Sequence, residues 1–542
     1  METSSENSNR RGYALVIVLA LLTILPYLLN AGDGLVSDDW VAFHMLRGQP
    51  AGQVLTGENL AGAATYRPLT SLLFWLEANV FGHRPAVFRL VNLLFGFLVA
   101  LALVGLFRRL FDRRIALLTL TAFALAPAHA ENLAWISGRA EVLATLLLLT
   151  GLLLHVGWRQ QQRTWALVSS FVCYFLAMAA NETAVIVPLL LLLVDRHVDE
   201  RPTWKSTGAL AAGSAALAGT WLSLVYLLTG SVGLYRQFGL YAVRDLIRFV
   251  QLYFFPFNLD AAIPWVMAHE WAVFAPAVVI LLGLAVLGRR ICLRPAVRLG
   301  LLGGLVALLP VAGMYPRGLL LFLPGAWFAL AVGGVVDELL KRDNRAIKTA
   351  TVVAFALWLA ACGFFSVYQA RLWSQSADLA GQIVQDLAEI EFPEDEDTTL
   401  LALTVPDTLH GAFVMRNGLH QAVRTLQPKA DVVVHTLLLA GLADATGNVN
   451  VEISPDGAFV VNHQGQSIYD YLLPPDASLD LRVDDHRVIG PAGYLALNKR
   501  PPFNLTAMEV SVDRKLLAQE QTMVYFYKDG RMQLLKIKGE LP

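Results

Sequence analysis

Long apolar runs separated by short polar segments fill residues 12–370, whereas residues 371–542 have the mixed composition of a water-soluble domain. A helix that crosses a bilayer needs about 20 mainly apolar residues. The pattern predicts a polytopic α-helical membrane protein with a C-terminal domain of α/β or mostly β type. The eleven predicted spans cover residues 12–30, 86–107, 115–130, 139–157, 164–181, 182–195, 206–229, 271–288, 298–314, 318–337 and 346–369.

Positive charges set the predicted orientation. Arg10 and Arg11 precede the first span, and arginines or lysines recur in every second loop. Because cytoplasmic loops carry an excess of these residues, the N-terminus is predicted to be cytoplasmic and the C-terminal domain extracytoplasmic. Residues 31–85 and 230–270 then form two long outer loops. The first span lacks a small-residue cleavage site and is interpreted as a retained helix.

The soluble part begins with a predicted helix and an acidic, solvated linker at residues 371–397. Residues 398–542 alternate between short apolar stretches and turn residues, which predicts short strands. Asp529-Gly530 is a hairpin signal. The predicted organisation is a membrane domain at 1–370, the linker, and an extracytoplasmic domain at 398–542.

Composition supports a membrane protein. The 542 residues are 56% hydrophobic and 16% charged, with a mean hydropathy of +0.52, which leaves too few charges to cover a soluble chain of this length. The net charge of −1 gives no electrostatic case for nucleic-acid binding. The three cysteines lie outside the long polar segments, so no disulfide framework is expected there.

Two adjacent carboxylates, Asp38 and Asp39, follow the first span in the sequence LVSDDWVAF. The neighbouring Trp40 and Phe43 suggest a partly buried setting. Burial and a like charge would raise the pKa of one carboxyl group and suit it to proton transfer. The alternative is helix capping, because Ser-Asp-Asp before a short helix is favourable N-terminal chemistry.

Two arginines in the predicted outer segments could bind a phosphate. Arg67 follows Tyr66 in the first loop, and it could hold a phosphate or carboxylate in bidentate fashion. Alternatively, it anchors the chain at lipid headgroups. Arg317 is the sole charge in a long apolar region and is the leading candidate for a phosphate contact.

An amphipathic segment at residues 245–259 is shorter than a span and is predicted to lie at the membrane interface. Arg244 and Arg248 are four apart and share one face of it. This basic face suits an anionic lipid head, with general lipid anchoring as the alternative.

Further ionisable residues interrupt the apolar runs, where a charge is costly and is usually functional or paired. His129 and Glu131 could be ligands or could support them; alternatively, Glu131 pairs with Arg139 across the turn. Glu182 is expected to face a polar cavity or a partner. All these charges map to the predicted outer face, which favours an active site there over the mid-membrane sites of a transporter.

An ordered set of motifs runs through most of residues 30–380. It consists of Asp38-Asp39-Trp40, YRPLTSLLFWLEANVFG and FRLVNLLFG within 66–96, PAHAENLAWISGRAEVLA at 127–144, NETAVIVPLLLLLVD at 181–195, YPRGLLLFLPGAWFALAV at 315–332 and RLWSQSADL at 371–379. The set resembles the membrane-embedded GT-C glycosyltransferases, and most of all the transmembrane part of bacterial relatives of the TMTC-type O-mannosyltransferases, without their helical repeats. LTVPDTLHGAFVMRNGL at 403–419 is similar to the segment that follows the membrane part in some related transferases.

The resemblance implies a GT-C fold and transfer of a sugar from a polyprenyl-phosphate donor on the extracytoplasmic face. Asp38 or Asp39 would act as the general base for an acceptor hydroxyl, and direct displacement would invert the anomeric centre. Asp39 and Glu131 could hold a divalent cation. The residues implied for the donor phosphate are Arg317, Arg67, Arg248 and Arg244, and those in supporting positions are Tyr66, His129, Glu131, Arg139 and Glu182.

The implied partners are a lipid-linked sugar donor, membrane lipids and an acceptor that is a glycan, a lipid or a protein. The apparent lack of a signal peptide, the short loops and the unpaired cysteines fit a bacterial inner membrane. The competing hypothesis is a non-enzymatic transporter or scaffold with an outer domain.

Overall fold

In a computed structural model of the protein, the apolar runs form long helices, and the described strands of the C-terminal part form two β-sheets. The structure describes residues 2–57, 66–198, 204–229, 240–255, 279, 283, 290–314, 316–390, 392, 398–428, 432–442, 449–453, 459–463, 467–470, 479–484, 487–490, 507–512 and 522–535. The chain divides into a helical unit (Met1–Ala31, Leu46–Leu259 and Trp265–Arg371) and a mixed unit (Gly32–Met45, Asp260–Pro264 and Leu372–Pro542).

Helices make up most of the described chain. In chain order they are α1 (Glu2–Leu22), α2 (Asp38–Leu46), α3 (Ala51–Thr56), α4 (Pro68–Phe81), α5 (Pro85–Leu110), α6 (Arg113–Ala124), α7 (Ala130–Ala134), α8 (Arg139–Gln161), α9 (Thr164–Ala180), α10 (Val187–Val198), α11 (Trp204–Thr229), α12 (Leu240–Phe254), α13 (Pro295–Leu308), α14 (Phe322–Leu340), α15 (Arg345–Ala388) and α16 (Leu419–Leu426). Short 3₁₀ turns join several of them, as at Glu182–Ile186 before α10.

Five helices of the described chain are long and apolar enough to cross a membrane, as expected for a protein with several spans. They are Pro85–Leu110, Ile136–Gln161, Thr207–Leu228, Gly318–Leu340 and Arg345–Ala388, and shorter apolar helices occupy Gly12–Leu22, Thr164–Ala180 and Pro295–Val311. Leu227, Leu357 and Phe364 are 80%, 66% and 66% exposed, and a bilayer would cover such side chains. The total of eleven spans stays a prediction, since most of 271–288 lies outside the described residues.

Residues 31–85, predicted as a long loop, contain α2, α3 and α4. α4 begins at Pro68, because the fixed φ of proline suits the first turn of a helix, and it ends before Gly82, which has a φ of +62°. Its 14 residues are too few to span a bilayer, so it does not have the sequence pattern of a span.

The amphipathic segment predicted at 245–259 is helical from Leu240 to Phe254. The helix therefore starts earlier than predicted. It ends shortly before Pro256, because the residue that precedes a proline disfavours the α conformation. Residues 256–259 lie outside the described part of the chain.

Helices α13 and α14 approach each other closely through glycines. A Cβ on Gly300 would lie 2.4 Å from the backbone nitrogen of Ala331, and a Cβ on Gly303 would lie 2.5 Å from the Trp327 ring. Small residues let two helices come together where larger side chains would separate them. The contact fixes the helix that follows Arg317 after one 3₁₀ turn.

The described strands of the mixed unit form two sheets, with orders β11-β10-β1-β3-β6 and β4-β5-β9-β7-β8. The strands are β1 (Thr398–Leu409), β2 (Ala412–Phe413), β3 (Val432–Leu442), β4 (Val449–Ile453), β5 (Phe459–His463), β6 (Ser467–Asp470), β7 (Leu479–Asp484), β8 (Arg487–Gly490), β9 (Ala507–Val512), β10 (Thr522–Lys528) and β11 (Arg531–Leu534). Strand β1 pairs in parallel with β3 and β10. Leu400, Leu401 and Leu403 on β1 are fully buried, because a central parallel strand is covered on both faces.

The hairpin predicted at Asp529-Gly530 is confirmed. The two residues join β10 to β11 with φ values of +51° and +83°. Two positive φ values in a two-residue turn match the right-handed twist of the strands, and Asp-Gly adopts them readily.

The C-terminal end of α15 belongs to the mixed unit and joins two of its segments. Ser374 Oγ donates to Asp33 Oδ1 at 2.9 Å. Ser376 Oγ donates to the carbonyl of Ala412 at 3.3 Å and also to that of Phe413. The RLWSQSADL motif thus connects the start of the mixed unit to the β1–β2 hairpin.

Candidate active site

The acidic motif, residues 37–40 (SDDW), opens α2 in the mixed unit. Ser37 has a φ of +46°, in the left-handed region that residues other than glycine seldom adopt. Its N–H donates to the carbonyl of Val414 at 3.0 Å. Its carbonyl oxygen lies only 2.5 Å from the place that a Cβ on Gly418 would take. Residues 414–418 therefore hold the turn at which the helix starts.

The two carboxylates of the acidic motif have different surroundings. Asp39 is fully buried, and its Oδ2 accepts the N–H of Val36 at 3.3 Å. Asp38 is half-buried, and its Oδ1 accepts a hydrogen bond from Nδ2 of Asn417 at 2.6 Å. Asp39 thus satisfies the backbone at the helix start, in the manner of a capping residue. Asp38 is the carboxylate that keeps some exposure.

Asn417 is a candidate site residue that sequence analysis missed. It lies 379 positions from Asp38, and its backbone N–H also donates to Ser37 Oγ at 3.3 Å. The adjacent Arg416 makes a bidentate pair with Asp407, with Nε–Oδ1 and Nη2–Oδ2 distances of 2.6 and 2.7 Å. The similarity of residues 403–419 to related transferases pointed to the segment but to none of its residues.

In the helical unit, Arg67 makes a bidentate pair with Glu182. Nε donates to Oε2 at 2.8 Å and Nη2 donates to Oε1 at 2.6 Å. Arg67 directly precedes α4, and Glu182 opens the 3₁₀ turn after α9. The two side chains are 31% and 17% exposed, so the pair is fixed in geometry but still reachable. Glu182 was expected to face a polar cavity or a partner, and Arg67 is a partner of this kind.

Hydrogen bonds surround this pair and join the YRP and NET motifs. Asn181 Oδ1 accepts the N–H of Thr183 at 3.0 Å, which starts the 3₁₀ turn. Thr183 Oγ1 donates to Glu141 Oε2 at 3.2 Å. Thr70 Oγ1 donates to the carbonyl of Ala180 at 2.9 Å and so ties α4 to α9.

Tyr66 supports Arg67 from the adjacent position. Its ring stacks on Trp221 with centroids 5.9 Å apart, and its hydroxyl donates to the carbonyl of Leu55. Burial raises the pKa of the Tyr66 phenol, so this hydroxyl stays protonated at neutral pH.

Arg317 forms an ion pair with Glu131, and their side chains are 27% and 13% exposed. Glu131 Oε2 also accepts the N–H of Leu319 at 2.9 Å, and Asn132 Nδ2 donates to the carbonyl of Leu319 at 2.9 Å. These bonds fasten the segment before α14 to α7. Arg317, the sole charge in its stretch of sequence, is therefore a paired and partly exposed cation in the fold.

The alternative pairing of Arg139 with Glu131 is wrong. Arg139 Nη1 donates to Glu77 Oε2 at 2.8 Å, and Nη2 donates to the carbonyl of Phe88 at 2.9 Å. The side chains of Arg139 and Glu77 are 0% and 4% exposed. The guanidinium carbon lies 5.2 Å from the centroid of the Phe74 ring. This pair ties α8 to α4 and α5 in the interior, out of reach of a ligand.

His129 is a fully buried core residue, two positions from the partly exposed Glu131. Its Nε2 lies 2.9 Å from the carbonyl oxygen of Phe123. Its ring packs against Phe123 and Phe322, with centroid distances of 4.3 and 4.7 Å. The position supports the segment that carries Glu131 from within the helical core.

The two interfacial arginines lie on α12. Arg248 is half-buried, whereas the side chain of Arg244 lies outside the described residues. A spacing of four places both on one helical face. Their contact with an anionic head stays a prediction.

The two carboxylates predicted to hold a divalent cation have other partners in the fold, and the cation site stays a prediction. Asp39 is buried and bonded to the N–H of Val36. Glu131 already accepts from Arg317 and from the N–H of Leu319. Divalent cations require several oxygen ligands, and the described residues contain no group of three or more His, Cys, Asp or Glu side chains that could hold one.

Residues 65–226 match the family described as dolichyl-phosphate-mannose-protein mannosyltransferase. The resemblance to the TMTC-type O-mannosyltransferases is confirmed. Protein O-mannosyl-transferase F38B6.6 of Caenorhabditis elegans is 30% identical over 170 residues, which is 29% of this chain and 25% of the relative. Human protein O-mannosyl-transferase TMTC1 is 39% identical over 94 residues, 16% of this chain and 10% of the relative. The chain thus matches a quarter or less of the length of these two relatives.

Two kinds of solved structure align with the chain. An oligosaccharyltransferase of Archaeoglobus fulgidus, tethered with an acceptor peptide, aligns with a TM-score of 0.43 at 11% identity, over 84% of this chain and 75% of the other. ArnT of Cupriavidus metallidurans, bound to undecaprenyl phosphate, aligns with a TM-score of 0.43 at 14% identity, over 80% and 86%. TM-scores of this size do not establish a common fold.

Proposed function

We propose that this protein is a membrane glycosyltransferase of the GT-C type that moves a sugar from a polyprenyl-phosphate donor to an acceptor hydroxyl on the extracytoplasmic face. The observation that carries the proposal is the match of residues 65–226 to mannosyltransferases. The matched segment contains the bidentate pair of Arg67 and Glu182, in which part of the arginine side chain stays exposed and could meet an anionic ligand.

The acceptor hydroxyl is activated by Asp38. A hydroxyl oxygen that attacks the anomeric carbon must lose its proton, and a positioned carboxylate takes that proton as a general base. Asp38 is half-buried and held by Asn417, so it is both positioned and reachable. Asp39, which is fully buried and bonded to the N–H of Val36, shapes the helix start instead.

The donor phosphate is bound by Arg67 and Arg317. The bond between the anomeric carbon and the phosphate oxygen breaks as the bond to the acceptor oxygen forms, and polyprenyl phosphate leaves with its added negative charge. Guanidinium groups stabilise that charge best when they are fixed beforehand. Glu182 and Glu131 hold the two arginines in place while leaving 31% and 27% of their side chains exposed. Direct displacement inverts the anomeric centre.

The other predicted assignments complete the proposal. Arg248 and Arg244 add positive charge for the donor phosphate at the interface, and residues 398–542 form an extracytoplasmic domain after the membrane domain at 1–370 and the linker at 371–397. The protein lies in a bacterial inner membrane, with its N-terminus in the cytoplasm. Its acceptor is a protein, a glycan or another lipid.

The test is a transfer assay with the full chain reconstituted in liposomes. The probe is a panel of polyprenyl-phosphate sugars that starts with radiolabelled mannose, together with a cell-envelope extract as acceptor. The proposal expects label in the acceptor fraction and release of polyprenyl phosphate. The double variant Asp38→Asn/Asp39→Asn, matched for amount of folded protein, should release none.

Two results would contradict the proposal. One is the absence of transfer from every donor of the panel. The other is a double variant that works at the full rate. Movement of intact donor between the leaflets, without release of polyprenyl phosphate, would favour the transporter hypothesis.

A further inference from the structure

We infer that Asn417, from the segment between β2 and α16, is a positioning residue that sets the orientation and ionisation of Asp38. The inference rests on the proposed role of Asp38 as the general base. It gives residue 417, which follows the predicted membrane domain in the chain, a role in the proposed chemistry of the acidic motif.

The contact has a defined direction. Nδ2 of Asn417 lies 2.6 Å from Asp38 Oδ1. An ionised carboxylate can only accept hydrogen bonds, so the amide nitrogen of Asn417 must face it. A donor that holds one oxygen fixes the plane of the carboxylate and favours its charged form, which is the form that a general base needs.

The segment that carries Asn417 is held at several points in the mixed unit. The N–H of Asn417 donates to Ser37 Oγ at 3.3 Å, and the N–H of Ser37 donates to Val414 at 3.0 Å. Gly418 has a φ of +88°, and a Cβ there would lie 2.5 Å from the carbonyl oxygen of Ser37. Only glycine fits both the backbone conformation and the space. Asn417 is therefore aimed at Asp38 by its neighbours on both sides.

Arg416 stabilises the loop that carries Asn417. Its guanidinium carbon lies 4.5 Å from the centroid of the Phe413 ring, and its bidentate pair with Asp407 closes the loop between β1 and α16. The Arg416 cation holds the loop in place, and the neutral amide of Asn417 donates a hydrogen bond to Asp38. A neutral donor holds a carboxylate without the strong charge pairing that would make it a poor base.

Several titratable or charged side chains lie on the elements around Asp38, and each would influence a pH profile. They are Asp39 and His44 on α2, Asp33 before it, Asp407 on β1, Arg416 between β2 and α16, His420 and Arg424 on α16, and Asp378 on the end of α15. Substitutions at Asn417 leave all of them in place, so a change in the profile reports on the contact with Asp38.

The experiment measures the transfer rate against pH for wild type, Asn417→Ala and Asn417→Asp. Loss of the donor in Asn417→Ala should lower the maximal rate about tenfold or more, with the KM for the donor little changed. A carboxylate at residue 417 would stand beside Asp38 and disfavour its ionisation, so the acid limb of the profile for Asn417→Asp should move to higher pH by roughly one unit or more. A side chain at residue 417 that supported the fold without contacting Asp38 would leave that limb unmoved.

Asn450→Ala and Asn450→Asp are the matched controls, because Asn450 is exposed on β4 in the same unit. Both should keep the wild-type rate and profile. Thermal unfolding in detergent checks that each variant is folded, so that transfer rates are compared between folded proteins. Asn417→Ser provides a smaller polar side chain in case Asn417→Ala does not accumulate.

The outcomes separate this inference from the proposed function. If wild type is active and Asp38→Asn is inactive, but the Asn417 variants keep the wild-type rate and profile, the positioning role is wrong and the proposed function stands. An equal loss of rate in all Asn417 variants with an unmoved acid limb, or loss of folded protein in all three, also overturns the positioning role. If wild type transfers nothing, the proposed function itself fails.

Discussion

Two arginine–glutamate pairs of the helical unit share a chemistry and differ in accessibility. Arg139 and Glu77 are 0% and 4% exposed, whereas Arg67 and Glu182 are 31% and 17% exposed. The Phe74 ring and the carbonyl of Phe88 enclose the first pair, which holds its helices together in the interior. The second pair is bidentate, and part of its arginine side chain is exposed. An ion pair in a membrane protein is thus a candidate site only when part of its cation remains reachable.

The largest expected effect is on stability, at the buried pair. Arg139→Ala should lower the free energy of unfolding by about 3–5 kcal/mol, because it leaves the Glu77 carboxylate buried without its cation. Thermal unfolding in detergent measures this. The matched control is Arg67→Ala, for which about 1 kcal/mol or less is expected at a partly exposed pair. Equal losses at the two pairs would break the comparison.

A double substitution sharpens the same comparison. Arg139→Met combined with Glu77→Leu removes both charges and keeps apolar volume, so it should be much less destabilising than Arg139→Ala alone. If the double variant is as unstable as the single one, packing and not the uncompensated charge explains the loss.

The next effect is on transfer, at the exposed pair. Arg67→Ala should lower the transfer rate about 100-fold at saturating donor, because it removes a fixed donor of hydrogen bonds to the leaving phosphate. Arg67→Lys keeps the charge but not the bidentate geometry, and it should recover only part of the rate. Initial rates in liposomes measure both. An Arg67→Ala variant that transfers at the wild-type rate would remove this pair from the site.

A smaller effect is expected at Arg317. Reversal of its charge in Arg317→Glu should weaken binding of polyprenyl phosphate about tenfold or more. Titration of the detergent-solubilised protein with polyprenyl phosphate measures the affinity. Exchange of the pair, Arg317→Glu with Glu131→Arg, should restore thermal stability without restoring the affinity to the wild-type value. Unchanged affinity in Arg317→Glu would exclude the side chain from the donor site.

The smallest effect concerns a half-buried histidine in the mixed unit. His420 Nδ1 accepts the N–H of Val434 at 3.2 Å, which requires the uncharged ring. Burial, followed by the charge of Arg424, lowers the pKa of His420 below its usual value. The unfolded chain therefore binds more protons than the folded one below about pH 6.5, and the free energy of unfolding falls as the pH falls through that window.

This acid sensitivity can be read from unfolding temperatures at pH 7.5 and 5.5. His420→Asn retains an acceptor and cannot be protonated, so its unfolding temperature should fall less than that of wild type between the two pH values. An equal fall in both proteins would assign the acid sensitivity to other groups, such as His44 and His435, whose pKa values burial also lowers.

The sequence predicted the features that depend on local pattern. Long apolar runs gave the helices that could cross a membrane, and Asp529-Gly530 gave its hairpin. Helix α4 was not predicted, because its 14 residues are too few for a span and its apolar positions do not stand out within the predicted loop. A short segment has only a weak preference of its own for the helix, and tertiary packing decides whether the helix forms.

The partners of the charged residues could not be predicted, because they are distant in sequence. Glu77 is 62 positions from Arg139, Glu131 is 186 from Arg317, and Asn417 is 379 from Asp38. Spacing rules describe neighbours on one element, and these contacts join different elements. The sequence could therefore nominate Asp38 together with Asp39 but could not distinguish their surroundings.

The most direct test compares Asp38→Asn with Asp39→Asn in the same transfer assay and the same unfolding experiment. Asp38→Asn should lose transfer about 100-fold or more while it unfolds at the wild-type temperature, because only the half-buried carboxylate acts as the base. Asp39→Asn should unfold at a lower temperature and keep more activity per folded molecule, since its buried carboxylate supports the helix start. An Asp38→Asn protein that transfers sugar at the wild-type rate would contradict the account.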